Sequence, residues 1–156
     1  MNNQPRQRPK HRSAARLAAV QALYQMDIAQ TSLNDVLAEY EALRIGKEIE
    51  GEQYQEADRA FFREIVGGVV QEQRLLDQRV DASLKDTWPL ARLDAIVRAV
   101  LRAGAFELAF RKDVPPRVAI NEYVDVAKAF FEGDESRLVN AVLDKLAQVL
   151  RPEEMA

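Results

Sequence analysis

Between Val114 and Arg151 the apolar residues Ile120, Tyr123, Val124, Ala127, Phe130 and Phe131 recur at three- and four-residue spacing, and Val139, Val142, Leu143, Leu146 and Leu150 do so again. Each set is one apolar face of an α-helix. Pro115 and Pro116 precede the first set, where fixed φ and missing N–H donors suit a helix start but not a helix interior. Glu132, Gly133 and Asp134 separate the two, Asp134 or Ser136 can accept a bond from the free N–H groups of the second helix, and Pro152 stops it. The segment is therefore a helical hairpin with two apolar stripes. Two helices hold too little core to stand alone, so both stripes must also be buried on the rest of the chain.

The same periodicity runs through the preceding residues. Leu17, Val20, Leu23, Tyr24 and Ile28 form a stripe in an Ala-rich segment starting near Arg12 or Ser13. Thr31 and Ser32 offer caps for a second helix to Arg44, with Leu33, Val36, Leu37, Tyr40 and Leu43 inward. A third begins near Ala57 or Asp58 and carries Phe62, Ile65, Val66, Val69 and Val70 across Gly67 and Gly68, a pair whose helix cost is offset most easily by close approach of a neighbouring helix. Leu75, Leu76, Val80 and Leu84 continue the stripe directly or after a kink. Trp88-Pro89 marks a break, and a further helix from about Leu90 to Lys112 turns Leu93, Ile96, Val97, Val100, Leu101 and Leu108 inward. Gly46 to Gln55 reads as the longest internal loop and as the boundary between the two halves. No segment alternates with period two, so the predicted class is all-α.

Length and composition allow one domain or two small subdomains sharing a core: 156 residues, 47% apolar and 30% charged. No run is long and apolar enough to cross a bilayer, and no cysteine is present to form disulfides or thiolate metal sites. A cytoplasmic protein without membrane association is expected. The net charge of −3 hides a strong asymmetry. Arg6, Arg8, Lys10, Arg12 and Arg16 stand among the first sixteen residues with no acid, leaving the remaining chain at about −8. A cationic arm on an acidic body suits a phosphate backbone, and a solvated, solubilising tail is the alternative. Residues 1–11 are expected to be a mobile basic arm. Arg8, Arg12 and Arg16 step by four, as they would along one side of a helix, with Tyr24 two turns further on. Such a row beside an aromatic ring suits RNA, although periodicity alone reads Tyr24 as a core aromatic with its hydroxyl at the rim.

Nothing in the residues requests catalysis. The single histidine, His11, falls in the basic arm with nothing to hold it against a nucleophile or metal. Acid pairs such as Glu132 with Asp134, or Glu122 with Asp125, occupy loop and helix-surface positions where caps and solvated charges are the rule. Asp58, Asp94 and Asp144 have no metal-ligand spacing. A binding module without catalytic residues, metal or cofactor is the expected class.

Three blocks carry a family resemblance. RSAARLAAVQALYQMDIAQ at 12–30, VLRAGAFEL at 100–108, and VPPRVAINEYVDVAKAF followed by DESRLVNAVLDKLA resemble, in order, the signature segments of the NusB family of bacterial transcription antitermination factors. The resemblance implies about seven helices in two small bundles packed into one compact domain: a basic arm at 1–11, an N-terminal subdomain at 12–85, a C-terminal subdomain at 86–152 and a tail at 153–156. It implies no enzymatic activity, recognition of boxA-type elements in nascent ribosomal RNA together with NusE, the small-subunit ribosomal protein, and assembly with NusA, NusG and RNA polymerase. A homodimerising or protein-binding helical scaffold is the alternative.

The resemblance also implies site residues. Arg12 and Arg16, with Arg8 and Lys10 in the preceding arm, match the family's RNA-contacting basic residues, and Tyr24 its aromatic. Asp134, Arg137 and Leu138, before VNAVLD, match a second RNA-facing segment, where Leu138 replaces a frequent Phe. The partner surface falls on Ile96, Val97, Val100 and Arg102. Val97 stands where members often have an acid, so it also reads as an apolar self-association patch.

Overall fold

Ten of the sixteen residues of one helix, Ala95–Phe110, are buried, and from Ala103 to Leu108 burial is continuous. A helix buried over most of its circumference lies at the centre of its neighbours. The computed structural model describes residues 4–41, 48–49, 52–53, 56–84 and 89–156, with side chains for 11–41, 59–84 and 89–156. Its helices are α1 (Gln4–Ala29), α2 (Leu33–Tyr40), α3 (Glu56–Leu84), α4 (Ala95–Phe110), α5 (Pro116–Phe130), α6 (Glu135–Leu150) and α7 (Pro152–Met155). The class is all-α, with α1–α3 and α4–α7 as two bundles. Helix α4 packs against α1, α3, α5 and α6, so both bundles share one core.

Local chemistry explains most of the boundaries. The Ser32 hydroxyl accepts from Asp35 N at 3.2 Å and caps α2. Asp94 Oδ1 accepts from Ile96 N at 2.8 Å and caps α4. That cap sets the start of α4 at Ala95, later than the expected Leu90, and residues Leu90–Arg92 instead form a 3₁₀ turn. Pro116 opens α5, as the proline pair predicts. Asp134 precedes α6 but makes no side-chain capping bond. Helix α1 ends at Ala29, and Gln30 after it has a φ of 58°, the left-handed conformation common after a helix.

Three expectations need correction. Helix α1 begins at Gln4, well before Arg12. His11 is buried at 6% exposure rather than lying loose in an arm. The expected tail is helical, and Met155 is buried. Helix α3 runs the full stripe through one non-helical residue, Glu72 (φ −106°, ψ 17°). Within the expected loop at Gly46–Gln55, Glu48–Ile49 and Glu52–Gln53 pair antiparallel; Gly46, Lys47, Glu50, Gly51, Tyr54 and Gln55 lie outside the described residues, as does Trp88. Among the described residues, no helix is long and apolar enough to cross a membrane.

Candidate nucleic-acid interface

Helix α1 buries its Ala15, Ala18, Ala19 and Ala22, small residues that let neighbouring helices approach closely. The two arginines of this stretch take opposite roles. Arg16 is 2% exposed. Its Nε donates to Glu107 Oε2 at 2.7 Å and its Nη2 to Glu107 Oε1 at 3.0 Å, while Nη1 reaches Glu122 Oε1 at 3.1 Å. The same Glu107 Oε2 accepts from the Tyr123 hydroxyl at 2.5 Å, and the Ser13 hydroxyl donates to Glu122 Oε1 at 2.6 Å. Burial opposes the charge of Arg16, but the hydrogen bond and charge of Glu107 hold its pKa above the usual guanidinium range. Burial, together with the Glu107 charge, pushes the Tyr123 phenol well above its ordinary range. Arg16, expected to face RNA, is therefore an interior strut joining α1, α4 and α5.

Arg12 is half-buried, with its guanidinium carbon 4.7 Å from the centre of the Phe61 ring. Arg16 and Arg111 lie over the same ring at 5.0 Å each. Their situations differ. Arg111 is held by Glu64 at 2.5 Å and by both oxygens of Asp113 at 2.9 Å, and its pKa is raised chiefly by the bond to Asp113. Among the described residues Arg12 makes no hydrogen bond or ion pair, so its five N–H donors remain open on a rigid aromatic seat. The backbones of Arg8 and Lys10 continue α1, and their side chains lie outside the described residues.

Tyr24, at 37% exposure, is not part of the core. It lines a mainly apolar groove of about 400 Å³ with Gln21, Ile28, Tyr40, Ile96 and Phe130. The structure thus brings together Tyr24, expected for RNA, and Ile96, expected for a partner. Val97 and Val100 are corrected: at 2% and 0% exposure they are core residues, and Val97 offers no apolar patch. Arg102 is paired, with Nε on Asp77 Oδ1 at 2.8 Å and Nη2 on Asp77 Oδ2 at 3.0 Å, while Arg98 Nη2 holds Asp27 at 2.9 Å. Both keep α4 locked to α1 and α3.

Asp134 and Arg137 are almost fully exposed, 91% and 87%, and form a loose pair at 3.8 Å. Leu138 is partly buried and packs on the core, so only part of it faces outward. Sequence reasoning missed Phe61, Glu107, Glu122 and Arg111. One of these had a signal: Glu107 is an acid inside an otherwise apolar stripe, a position where a charge must have a partner. Among the described residues no group of three or more His, Cys, Asp or Glu could hold a metal ion.

Comparison with known proteins shows the family and the fold. The NusB family model matches residues 13–148. Transcription antitermination protein NusB of Rhodopseudomonas palustris (strain BisB18) is 58% identical over 145 residues, covering 93% of this chain and 86% of that protein. The protein of the same name from Brucella anthropi is 60% identical over 151 residues, covering 97% and 89%. Among solved structures, T. maritima NusB superposes with a TM-score of 0.78 at 29% identity, over 92% of this chain and 95% of that one. A crystal structure of antitermination factors NusB and NusE in complex with dsRNA shares the fold, with a TM-score of 0.75 at 21% identity over 90% and 98%.

Proposed function

Since the chain belongs to the NusB family of non-enzymatic, RNA-binding antitermination factors, we propose that it recognises boxA-type elements of nascent ribosomal RNA together with NusE, and enters the transcribing complex with NusA, NusG and RNA polymerase. The observation that carries the RNA side is Arg12, seated on Phe61 with no acid among the described residues engaging its donors. A guanidinium pre-oriented in this way loses little freedom on meeting a phosphate or a base. Arg8 and Lys10 add positive charge to the RNA-binding stretch of α1, and Asp134, Arg137 and Leu138 supply the second RNA-facing segment. Arg16 serves this surface from behind, through Glu107 and Glu122.

The groove between Tyr24, Ile28, Ile96 and Phe130 is the proposed NusE seat. Its walls are mostly apolar, which suits the aliphatic and aromatic anchors of a protein partner better than a phosphate backbone. The Tyr24 hydroxyl then supplies one polar contact at the edge of an apolar body. A NusB–NusE complex with RNA is known for a protein of this fold, and that precedent supports the pairing.

A labelled boxA-type RNA is titrated with the chain alone and with NusE, beside a scrambled RNA of equal composition, at two salt concentrations. Tighter binding to boxA, enhanced by NusE, is expected. Equal, salt-sensitive binding to both RNAs with no effect of NusE would reduce the chain to a cationic helix on a helical scaffold.

A further inference from the structure

A cavity of about 270 Å³ opens beside Arg12, where the turn before α5 meets α1. Its lining is apolar at Val114, Pro115 and Val118 and charged at Arg12, Arg16, Asp113 and Glu122. Arg12 and Glu122 line the same space without pairing with each other. Glu122 gives Oε1 to Ser13 and Arg16, and its Oε2 accepts no bond among the described residues. Asp113 binds Arg111 through both oxygens, yet each keeps a second lone pair. The lining thus combines an open fork of donors, open carboxylate acceptors and apolar surface.

This chemistry selects among ligands. A phosphate would meet Arg12 but also two carboxylates, while the donors of Arg16 are already taken by Glu107 and Glu122, and like charge disfavours it. A neutral, flat ligand with adjacent acceptors on one edge and adjacent donors on another fits all three groups. Among RNA bases guanine has this pattern: O6 and N7 match an arginine fork, and N1–H with the exocyclic amino group matches a carboxylate. Its face can lie against Pro115 and Val118, the latter 46% exposed. The volume falls just below the roughly 300 to 1,000 Å³ usual for small-molecule pockets, which suits one unstacked base.

We propose that this cavity is a guanine-reading pocket, in which Arg12 and Glu122 hold one unstacked guanosine of a single-stranded RNA. The proposal rests on the RNA-binding reading above and adds a base preference to it. Arg12 is then a specificity residue as well as a cation, and Glu122 has two tasks: Oε1 anchors Arg16 while Oε2 faces the base.

The test is a fluorescence-anisotropy titration of the full chain with a labelled 12-nucleotide RNA containing one central guanosine, alongside the same RNA carrying adenosine, inosine or 7-deazaguanosine there. The guanosine RNA should bind about tenfold tighter than the adenosine RNA. Inosine, lacking the amino group, and 7-deazaguanosine, lacking N7, should each lose part of that preference. R12K keeps the charge but not the fork, and V118W fills the cavity from an exposed position. Each should bring the guanosine-to-adenosine ratio close to one, with circular dichroism and thermal midpoint verifying the fold. A ratio near one in the wild type while every RNA binds would overturn the pocket and leave RNA binding standing. A guanosine preference that survives both substitutions would overturn it too, and binding of none of the RNAs would remove both readings.

Discussion

Arg16 and Glu107, 91 positions apart in sequence, meet fork to fork in the interior, with N–O distances of 2.7 and 3.0 Å and side chains 3% and 0% exposed. A pair this deep must recover a large desolvation cost through geometry and further hydrogen bonds. Tyr123 on Glu107 and Glu122 on Arg16 provide those bonds. Arg16→Ala should therefore cost about 3 to 5 kcal/mol, because it leaves Glu107 charged and buried without its main partner. Replacing both by apolar residues, Arg16→Met with Glu107→Leu, should cost clearly less than the two single changes added together. Urea unfolding of the four proteins in this cycle measures the difference. Additive losses would mean that the pair is not coupled.

Tyr123 extends the same network to pH. Its phenol is fully buried, and burial together with Glu107 raises its pKa in the folded state. A raised folded-state value contributes stability that is complete below the unfolded phenol pKa and is lost as pH rises through the folded one. Stability should fall above about pH 10, and the ultraviolet titration should show one tyrosine ionising only as the protein unfolds. Tyr123→Phe should remove that late component and cost about 1.5 to 3 kcal/mol, the range for a hydrogen bond to a charged group. A fully reversible titration of all tyrosines in the folded protein would contradict this.

The helical pattern of α4 was legible in a way that bears on function. Period alone turned Val97, Val100 and Leu101 inward, and all three are buried. The family resemblance instead assigned Val97 and Val100 to a partner surface, and there the residue pattern was the better guide. Arg16 failed for a different reason. Stepping by four placed it in a cationic row with Arg12, but a period cannot say that an acid 91 positions away will claim one member of the row. The acid at Glu107 was visible only as a charge in an apolar stripe. Arg12 and Arg16 both lie over Phe61, yet the surrounding acids separate an open cation from a strut, and that is tertiary information.

The glycine pair in α3 splits into two opposite cases. A Cβ at Gly68 would stand 2.2 Å from the Phe106 ring, which is 5% exposed and stacked on Phe110 at 5.5 Å. At Gly67 a Cβ would meet nothing within 4 Å. The close approach expected for the pair thus belongs to Gly68 alone. Gly68→Ala should destabilise by about 1 to 3 kcal/mol through overpacking. Gly67→Ala should stabilise by up to about 1 kcal/mol, the helix preference of Ala over Gly. Thermal unfolding of the two variants should move in opposite directions, and equal shifts of one sign would refute the assignment.

The groove beside Tyr24 separates partner binding from RNA binding. Ile28 is 58% exposed and Tyr24 37%, so neither carries much of the core. Ile28→Asp should change stability by no more than about 0.5 kcal/mol. If the groove seats NusE, Ile28→Asp and Tyr24→Ala should each weaken NusE binding about tenfold or more, as loss of a buried anchor does. RNA affinity measured without NusE should hardly change. Calorimetry with NusE and anisotropy with RNA distinguish the two, and a loss confined to RNA would return Tyr24 to the nucleic-acid face.

Asp113 gives the acid side of the pH profile and a check on the Phe61 seat. Arg111 Nε and Nη2 each donate to one of its oxygens at 2.9 Å, and this bond lowers the carboxyl pKa from 3.8 to about 2. A lowered folded-state value contributes stability that is present above the unfolded pKa and is lost as pH falls through the folded one. The loss should therefore occur between about pH 4 and pH 2. With the Asp113 side chain 60% exposed, solvent screening keeps this contribution small. The clearer readout is the carboxyl carbon resonance of Asp113, which should titrate near pH 2 in the native chain. In Arg111→Ala the midpoint should return towards 3.8, because the donor that lowers it is gone. The same variant removes one of the guanidinium groups over Phe61 but leaves Arg12 in place. A midpoint that stays near 2 in the variant would assign the lowering to another cation, with Arg12, whose charge also acts on Asp113, the first to test.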